Sequence, residues 1–155
     1  MFSKILVPYD GSDHAQSALL TAIELLRKEE HGDIVVLHVP APVDFDDSTF
    51  EIAARMAGVT ETAKEVRKSY LSKRREDVEK SIEKFFGNVP VNIDIKIVVL
   101  SGRPQDVIVD YVKDDTNKID CIVMGRRGLG AIRSAIGSVS FAVLHSVDLP
   151  VMLVK

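Results

Sequence analysis

The sequence predicts an α/β fold, a three-layer sandwich around a five-stranded, mostly parallel sheet. Short apolar runs rich in Ile and Val alternate with helical patterns along its 155 residues. Three of those runs are continuous rather than alternating, as expected for strands covered on both faces. No linker, internal repeat or low-complexity tract interrupts the pattern, so residues 1–155 are expected to form a single domain.

The first strand is "KILVP", residues 4–8. A helix follows, with Ala15, Ala18, Leu19, Ala22, Ile23 and Leu26 on one face. Ser12 or Asp13 can cap it, Gln16 is placed to bond back to Asp13, and Gly32 is expected to end it after the polar "RKEEH". The second strand is "DIVVLHV", residues 33–39. Residues 40–58 read as an irregular connection with a short helix after Ser48. A long helix carries Val59, Ala63, Val66, Tyr70, Val78, Ile82 and Phe85 and stops before Gly87. Its basic cluster Lys73, Arg74, Arg75 runs straight into Glu76, Asp77 and Glu79, so a solvated face is favoured over a nucleic-acid site.

"VNIDIKIVVL", residues 91–100, alternates at Ile93, Ile95 and Ile97, which suits a strand nearer an edge. A helix led by Pro104 should reach Asp114, with Val107, Ile108, Tyr111 and Val112 as its stripe. "CIVM", residues 121–124, is the fourth strand. A last helix starts near Ser138 and carries Val139, Val143, Leu144 and Val147, before "PVMLVK" closes the sheet. Right-handed crossovers leave few arrangements, of which the flavodoxin-like order 3-2-1-4-5 is expected. The crevice of such a sheet opens where the winding reverses, here at the loops after Val7 and Met124.

Composition limits the function. Apolar residues at 46% and charged residues at 28% indicate a soluble globular chain, and a net charge of −3 gives no pull toward nucleic acid. No apolar run is long enough to span a bilayer, and the run at residues 5–7 is too short for a leader. Cys121 is the sole cysteine, and with the foregoing it points to a cytoplasmic protein and a buried, inert thiol. His14, His31, His38 and His145 have no metal-site spacing.

Chemistry concentrates in "MGRRGLGAIRSAIGSVS". Gly125, Gly128 and Gly130 run G-x-x-G-x-G, which is neither the dinucleotide fingerprint nor a P-loop. The ingredients of an anion site remain. Glycines let backbone N–H groups converge, and Gly137-Ser138-Val139-Ser140 opens a helix whose free N–H groups suit a phosphate. The competing reading is a flexible turn with Ser138 as a helix cap. Asp10, at the end of the first strand, either bonds its own turn or holds a sugar hydroxyl, a base or a metal.

The pairing of "KILVPYDGSDHAQSAL" with "GRRGLG" and "GSVS" resembles the universal stress protein family, from Lys4 to Val154. "VVLHV", "SGRPQDVIVDYV", "IDCIVMGRRG" and "GSVSFAVLHSVDLPVMLV" are similar to further segments of that family. The resemblance implies an adenine nucleotide α-hydrolase-like variant of the fold. One branch binds ATP through G-x2-G-x9-G-(S/T). This chain has Gly125-x2-Gly128-x8-Gly137-Ser138, one residue short in the second spacer. A tighter loop at Gly130 can absorb the difference, or the shortening displaces Gly128 from Gly137.

The resemblance implies ATP or AMP as ligand, with magnesium or manganese as the accompanying metal. Phosphates would lie on Gly125, Arg127, Gly128, Gly137, Ser138 and Ser140, and base and sugar against Pro8, Tyr9, Asp10 and Val39, with Met124 and Val139 also counted among the nucleotide-binding residues. Tyr9 stands where smaller residues are common, so its contact is expected through backbone. The resemblance also implies a homodimer joined along residues 150–154, an otherwise exposed edge strand. The expected function is an adenine-nucleotide-binding regulatory module of the stress response, with protein partners unnamed. The alternatives are a nucleotide-independent dimeric interaction protein and a slow ATP hydrolase or phosphotransferase. No nucleophile–base pair is evident, so at most weak ATPase turnover is expected.

Overall fold

The computed structural model describes residues 2–40, 52, 55, 56, 58, 62–85, 87, 89–129 and 136–155. Five parallel strands, β1 (Lys4–Pro8), β2 (Gly32–His38), β3 (Ile93–Val99), β4 (Cys121–Gly125) and β5 (Val151–Val154), lie in the order β3-β2-β1-β4-β5. The expected order 3-2-1-4-5 is therefore the observed one. Between the strands run α1 (Asp13–Leu26), α2 (Ala63–Phe85), α3 (Pro104–Lys113) and α4 (Ser138–Ser146).

The strands' two-residue period sorts the core into two layers. Ile5, Val7, Ile34, Val36, Cys121 and Val123 face α1 and α2. Leu6, Val35, Leu37, Ile122 and Met124 face α3 and α4. Both faces of the three inner strands are buried, which is why their sequences read as continuous apolar runs. β3 and β5 are the edges and are only partly covered. At the amino-terminal end of the sheet, the Asp120 carboxylate accepts from the Ser3 N–H at 2.7 Å and its hydroxyl at 2.8 Å, tying β1 to β4. There His31 Nε2 also lies 3.2 Å from Asp33 Oδ1 and 3.8 Å from Asp94 Oδ2, an exposed link between the starts of β2 and β3.

Several boundaries differ from the sequence reading. Ser12 alone caps α1, its hydroxyl accepting from the Ala15 N–H at 3.2 Å. Gln16 does not reach back to Asp13; its amide donates to the Gly11 carbonyl at 3.3 Å. Gly32 does not end α1, which stops at Leu26. It starts β2, where a Cβ would lie 2.9 Å from Leu26 Cδ1, so its role is close packing of strand on helix. Asn92 secures the intervening turn by donating to the Glu29 carbonyl at 2.9 Å. α2 is described from Ala63; Val59 lies outside the described residues, as does most of the short helix expected after Ser48. The Thr62 N–H and hydroxyl both donate to Glu65 Oε2, at 2.8 and 2.9 Å, and the Glu65 N–H donates back to the Thr62 hydroxyl. That capping box, legible as "TAKE", holds the Glu65 carboxyl below its usual range. Arg74 pairs with Asp77 at 3.3 Å and Arg75 with Glu79 at 2.9 Å, as a solvated face would.

Cys121 is 1% exposed within β4. Burial, then the nearby Asp120 charge, pushes its thiol up to about 11. At pH 8 the folded protein is expected to leave a thiol reagent such as Ellman's unreacted, and to titrate one thiol after denaturation. Fast reaction in the native state would contradict a closed β4.

Candidate functional site

β1 and β4 are neighbours, but the chain leaves them on opposite sides. α1 packs on one face of the sheet and α4 on the other. Their carboxyl ends therefore part around a cavity of about 580 Å³, within the roughly 300–1,000 Å³ of small-molecule sites. All the residues expected from the sequence line it, from Pro8, Tyr9, Asp10 and Val39 through Met124, Gly125, Arg127 and Gly128 to Gly137, Ser138, Val139 and Ser140.

One end of the cavity is apolar. Pro8, Leu37, Val39, Ile108 and Met124 form it, and Leu37, Ile108 and Met124 are buried. Pro104 and Ile108 were not singled out for the site. A helix opening with Pro directly after β3 must start at this end of a parallel sheet, so the signal was present.

The other end is the start of α4. Its N-cap is Gly137, not Ser138, and no side chain caps it. The first helical bond runs from the Phe141 N–H to the Gly137 carbonyl at 2.9 Å. The N–H groups of Ser138, Val139 and Ser140 precede it, which makes this helix start an electropositive donor set. The Gly137 N–H donates to the Arg126 carbonyl at 2.9 Å. A Cβ on Gly137 would lie 3.4 Å from Arg127 Cα and 3.8 Å from the Gly128 nitrogen. Gly128 and Gly137 thus lie close together, within reach of a single added Cβ, despite the eight-residue spacer, whose residues 130–135 lie outside the described residues.

Asp10 bridges the two halves. Its Oδ1 accepts from the Ser12 N–H at 3.0 Å and its Oδ2 from the Leu129 N–H at 3.2 Å. A Cβ at Gly128 would run into Asp10 Oδ2, so glycine there admits the carboxylate over the loop. Gly125 has a different reason. Its Cβ would lie 2.8 Å from His14 Cβ and 2.9 Å from the His14 carbonyl carbon, so it lets β4 approach α1. Ser140 is buried, and its hydroxyl donates to the Gly125 carbonyl at 2.9 Å, latching α4 to β4.

Tyr9 turns its ring away from the crevice into the layer under α1 and α2, where its hydroxyl shares a 3.0 Å hydrogen bond with Ser81. Tyr9 also lines the cavity, where a contact through its backbone is the one expected from the sequence. Tyr9→Phe should cost about 1 kcal/mol, read as a fall in Tm of roughly 2–4 °C, with no change in ligand affinity at the cavity. A large affinity loss would mean the phenol faces the ligand.

Sheet order, winding and crevice define a doubly wound α/β protein with its ligand cavity at the switch point. The chain matches the universal stress protein family over residues 1–155, and it belongs to that family. It is 33% identical over 162 residues to the universal stress protein in the QAH/OAS sulfhydrylase 3′ region of Thermus aquaticus, spanning 100% of both chains. It is 30% identical over 158 residues to universal stress protein YxiE of Bacillus subtilis (strain 168), again across 100% of both. Among solved structures, hypothetical protein MJ0577 has the same fold, with a TM-score of 0.71 at 23% identity over 100% of this chain and 96% of that one. So has a universal stress protein family protein of Arabidopsis thaliana solved with AMP bound, with a TM-score of 0.57 at 20% identity over 99% and 91% of the chains. A third is the universal stress protein of Archaeoglobus fulgidus in complex with dAMP, with a TM-score of 0.52 at 23% identity over 100% and 98%.

Proposed function

We propose that this protein is an adenine-nucleotide-binding regulatory module, taking ATP or AMP in the switch-point cavity. The observation that carries the reading is the uncapped start of α4 at Gly137, close to Gly128 and lining the same cavity as Pro8, Val39 and Ile108. Phosphate suits the three leading N–H groups, and the flat apolar base suits the slot between Pro8, Val39 and Ile108. Family members solved with AMP and dAMP support the same ligand class.

A triphosphate reaching past Gly128 approaches the Asp10 carboxylate, so magnesium or manganese between them would relieve the repulsion. Among the described lining residues Asp10 is the only carboxylate, and both its oxygens already accept N–H bonds. That favours binding over turnover. The reading places the protein in the cytoplasm as a homodimer paired along β5. Met152 on that edge is 38% exposed, and no helix of the described residues is long and apolar enough to cross a membrane. Light scattering should give twice the chain mass, and Leu153→Pro, which removes an edge donor, should give the monomer.

Calorimetric titration with ATP and AMP, with and without magnesium, tests the reading, together with native mass spectrometry of gently purified protein. Saturable binding of either nucleotide is expected. No heat, and no co-purified nucleotide, would reject it.

A further inference from the structure

The β1–β2 ladder stops one bond earlier than its register allows. Pro8 pairs with Leu37, and the Tyr9 N–H continues the ladder by donating to the Leu37 carbonyl at 2.9 Å. In a parallel ladder the next bond would run from the Val39 N–H to the Tyr9 carbonyl. The His38 ring takes that acceptor instead, Nδ1 donating to the Tyr9 carbonyl at 2.7 Å. A carbonyl oxygen only accepts, so the neutral ring must carry its hydrogen on Nδ1. The His38 backbone stays in the sheet on its other side, its carbonyl accepting from the Leu100 N–H at 3.1 Å, which fixes where the ring starts. Val39, which the sequence reading had placed inside the strand, is left beyond the end of β2 and on the cavity wall.

We infer that His38 is a positioning residue. It holds the Tyr9 carbonyl so that the Val39 N–H stays out of the ladder and is available at the apolar end of the cavity. A bare donor in that slot suits a ligand edge that presents an acceptor. This deepens the nucleotide reading and rests on it: the donor suits the unprotonated ring nitrogen of adenine and opposes the N1–H of hypoxanthine. His38 therefore sets preference for the base without touching it, while α4 sets affinity for phosphate.

The test uses the full chain in three forms, wild type, His38→Leu and His38→Asn. Asn keeps a donor near Nδ1 and Leu removes it. In ligand-free protein, amide hydrogen exchange by NMR should show Val39 unprotected in wild type and in His38→Asn, and protected in His38→Leu, where Val39 zips onto Tyr9. Calorimetry should then show wild type and His38→Asn favouring AMP over IMP by ten-fold or more. His38→Leu should lose most of that ratio while its affinity for inorganic pyrophosphate holds within about two-fold. A protected Val39 amide in the ligand-free wild type overturns the inference. So does an unchanged AMP-to-IMP ratio in His38→Leu, or a His38→Asn that behaves like Leu; in each of these the nucleotide reading stands. Failure of the wild type to bind AMP overturns the nucleotide reading, and the base-reading role with it, whatever the exchange data show.

Discussion

Gly137→Asp is expected to abolish nucleotide binding without weakening the fold. Asp is among the best N-cap residues, and a Cβ at Gly137 would meet Arg127 Cα at 3.4 Å, a contact the loop can accommodate. The new carboxylate would accept from the N–H groups of Val139 and Ser140, the donors assigned to phosphate. It would also place a negative charge where the ligand brings its own. A loss of about 100-fold or more in affinity for ATP is expected, about 2.8 kcal/mol. Thermal stability should stay within a few tenths of a kcal/mol or rise slightly. Calorimetry and a melting curve on the same sample check both halves. Retained affinity would mean that phosphate does not use the start of α4.

Gly125→Ala is expected to act the other way, on stability first. The nearest obstacles to a Cβ are the Cβ and carbonyl carbon of His14 and the Arg127 carbonyl oxygen, at 2.8, 2.9 and 3.1 Å. Two of these are backbone, so rotamer changes cannot relieve them. α1 and β4 must separate, and both belong to the largest buried layer. Overpacking of this kind costs about 2–3 kcal/mol, a fall in Tm of roughly 4–12 °C for a chain of this size. Part of the loss should propagate to the ligand site, because the Gly125 carbonyl anchors the Ser140 hydroxyl and with it α4. A variant melting with the wild type would show that the β4–α1 approach is not tight.

The contrast between these glycines marks what a sequence can carry. The strand order follows from continuous apolar runs and crossover handedness, and the end-of-strand positions of Pro8, Asp10 and Gly125 follow from it. Part of the cavity lining was legible from that, and part through the family resemblance, while Ala15, Leu37, Pro104, Ile108, Leu129 and Ile136 were not named for the site. The reasons for individual residues were not legible. Gly125, Gly128 and Gly137 look alike in a motif, yet one admits a helix, one admits the Asp10 carboxylate, and one leaves a helix start open. Ser140 reads as a phosphate hydroxyl, but its proton goes to the Gly125 carbonyl. Each of these depends on a contact between residues far apart in the chain, which spacing does not encode. The boundary at Val39 is of the same kind, since it depends on His38 reaching Tyr9 across strands. Gly32 and the Thr62–Glu65 box were readable locally and were missed because a helix end and a helix start were each placed several residues off.

The most direct test of the central claim is a crystal structure of the protein grown with ATP or AMP. The account predicts phosphate oxygens within hydrogen-bond distance of the Ser138, Val139 and Ser140 N–H groups, and adenine in the slot between Pro8, Val39 and Ile108. A nucleotide bound elsewhere, or a cavity still empty at saturating nucleotide, would contradict it.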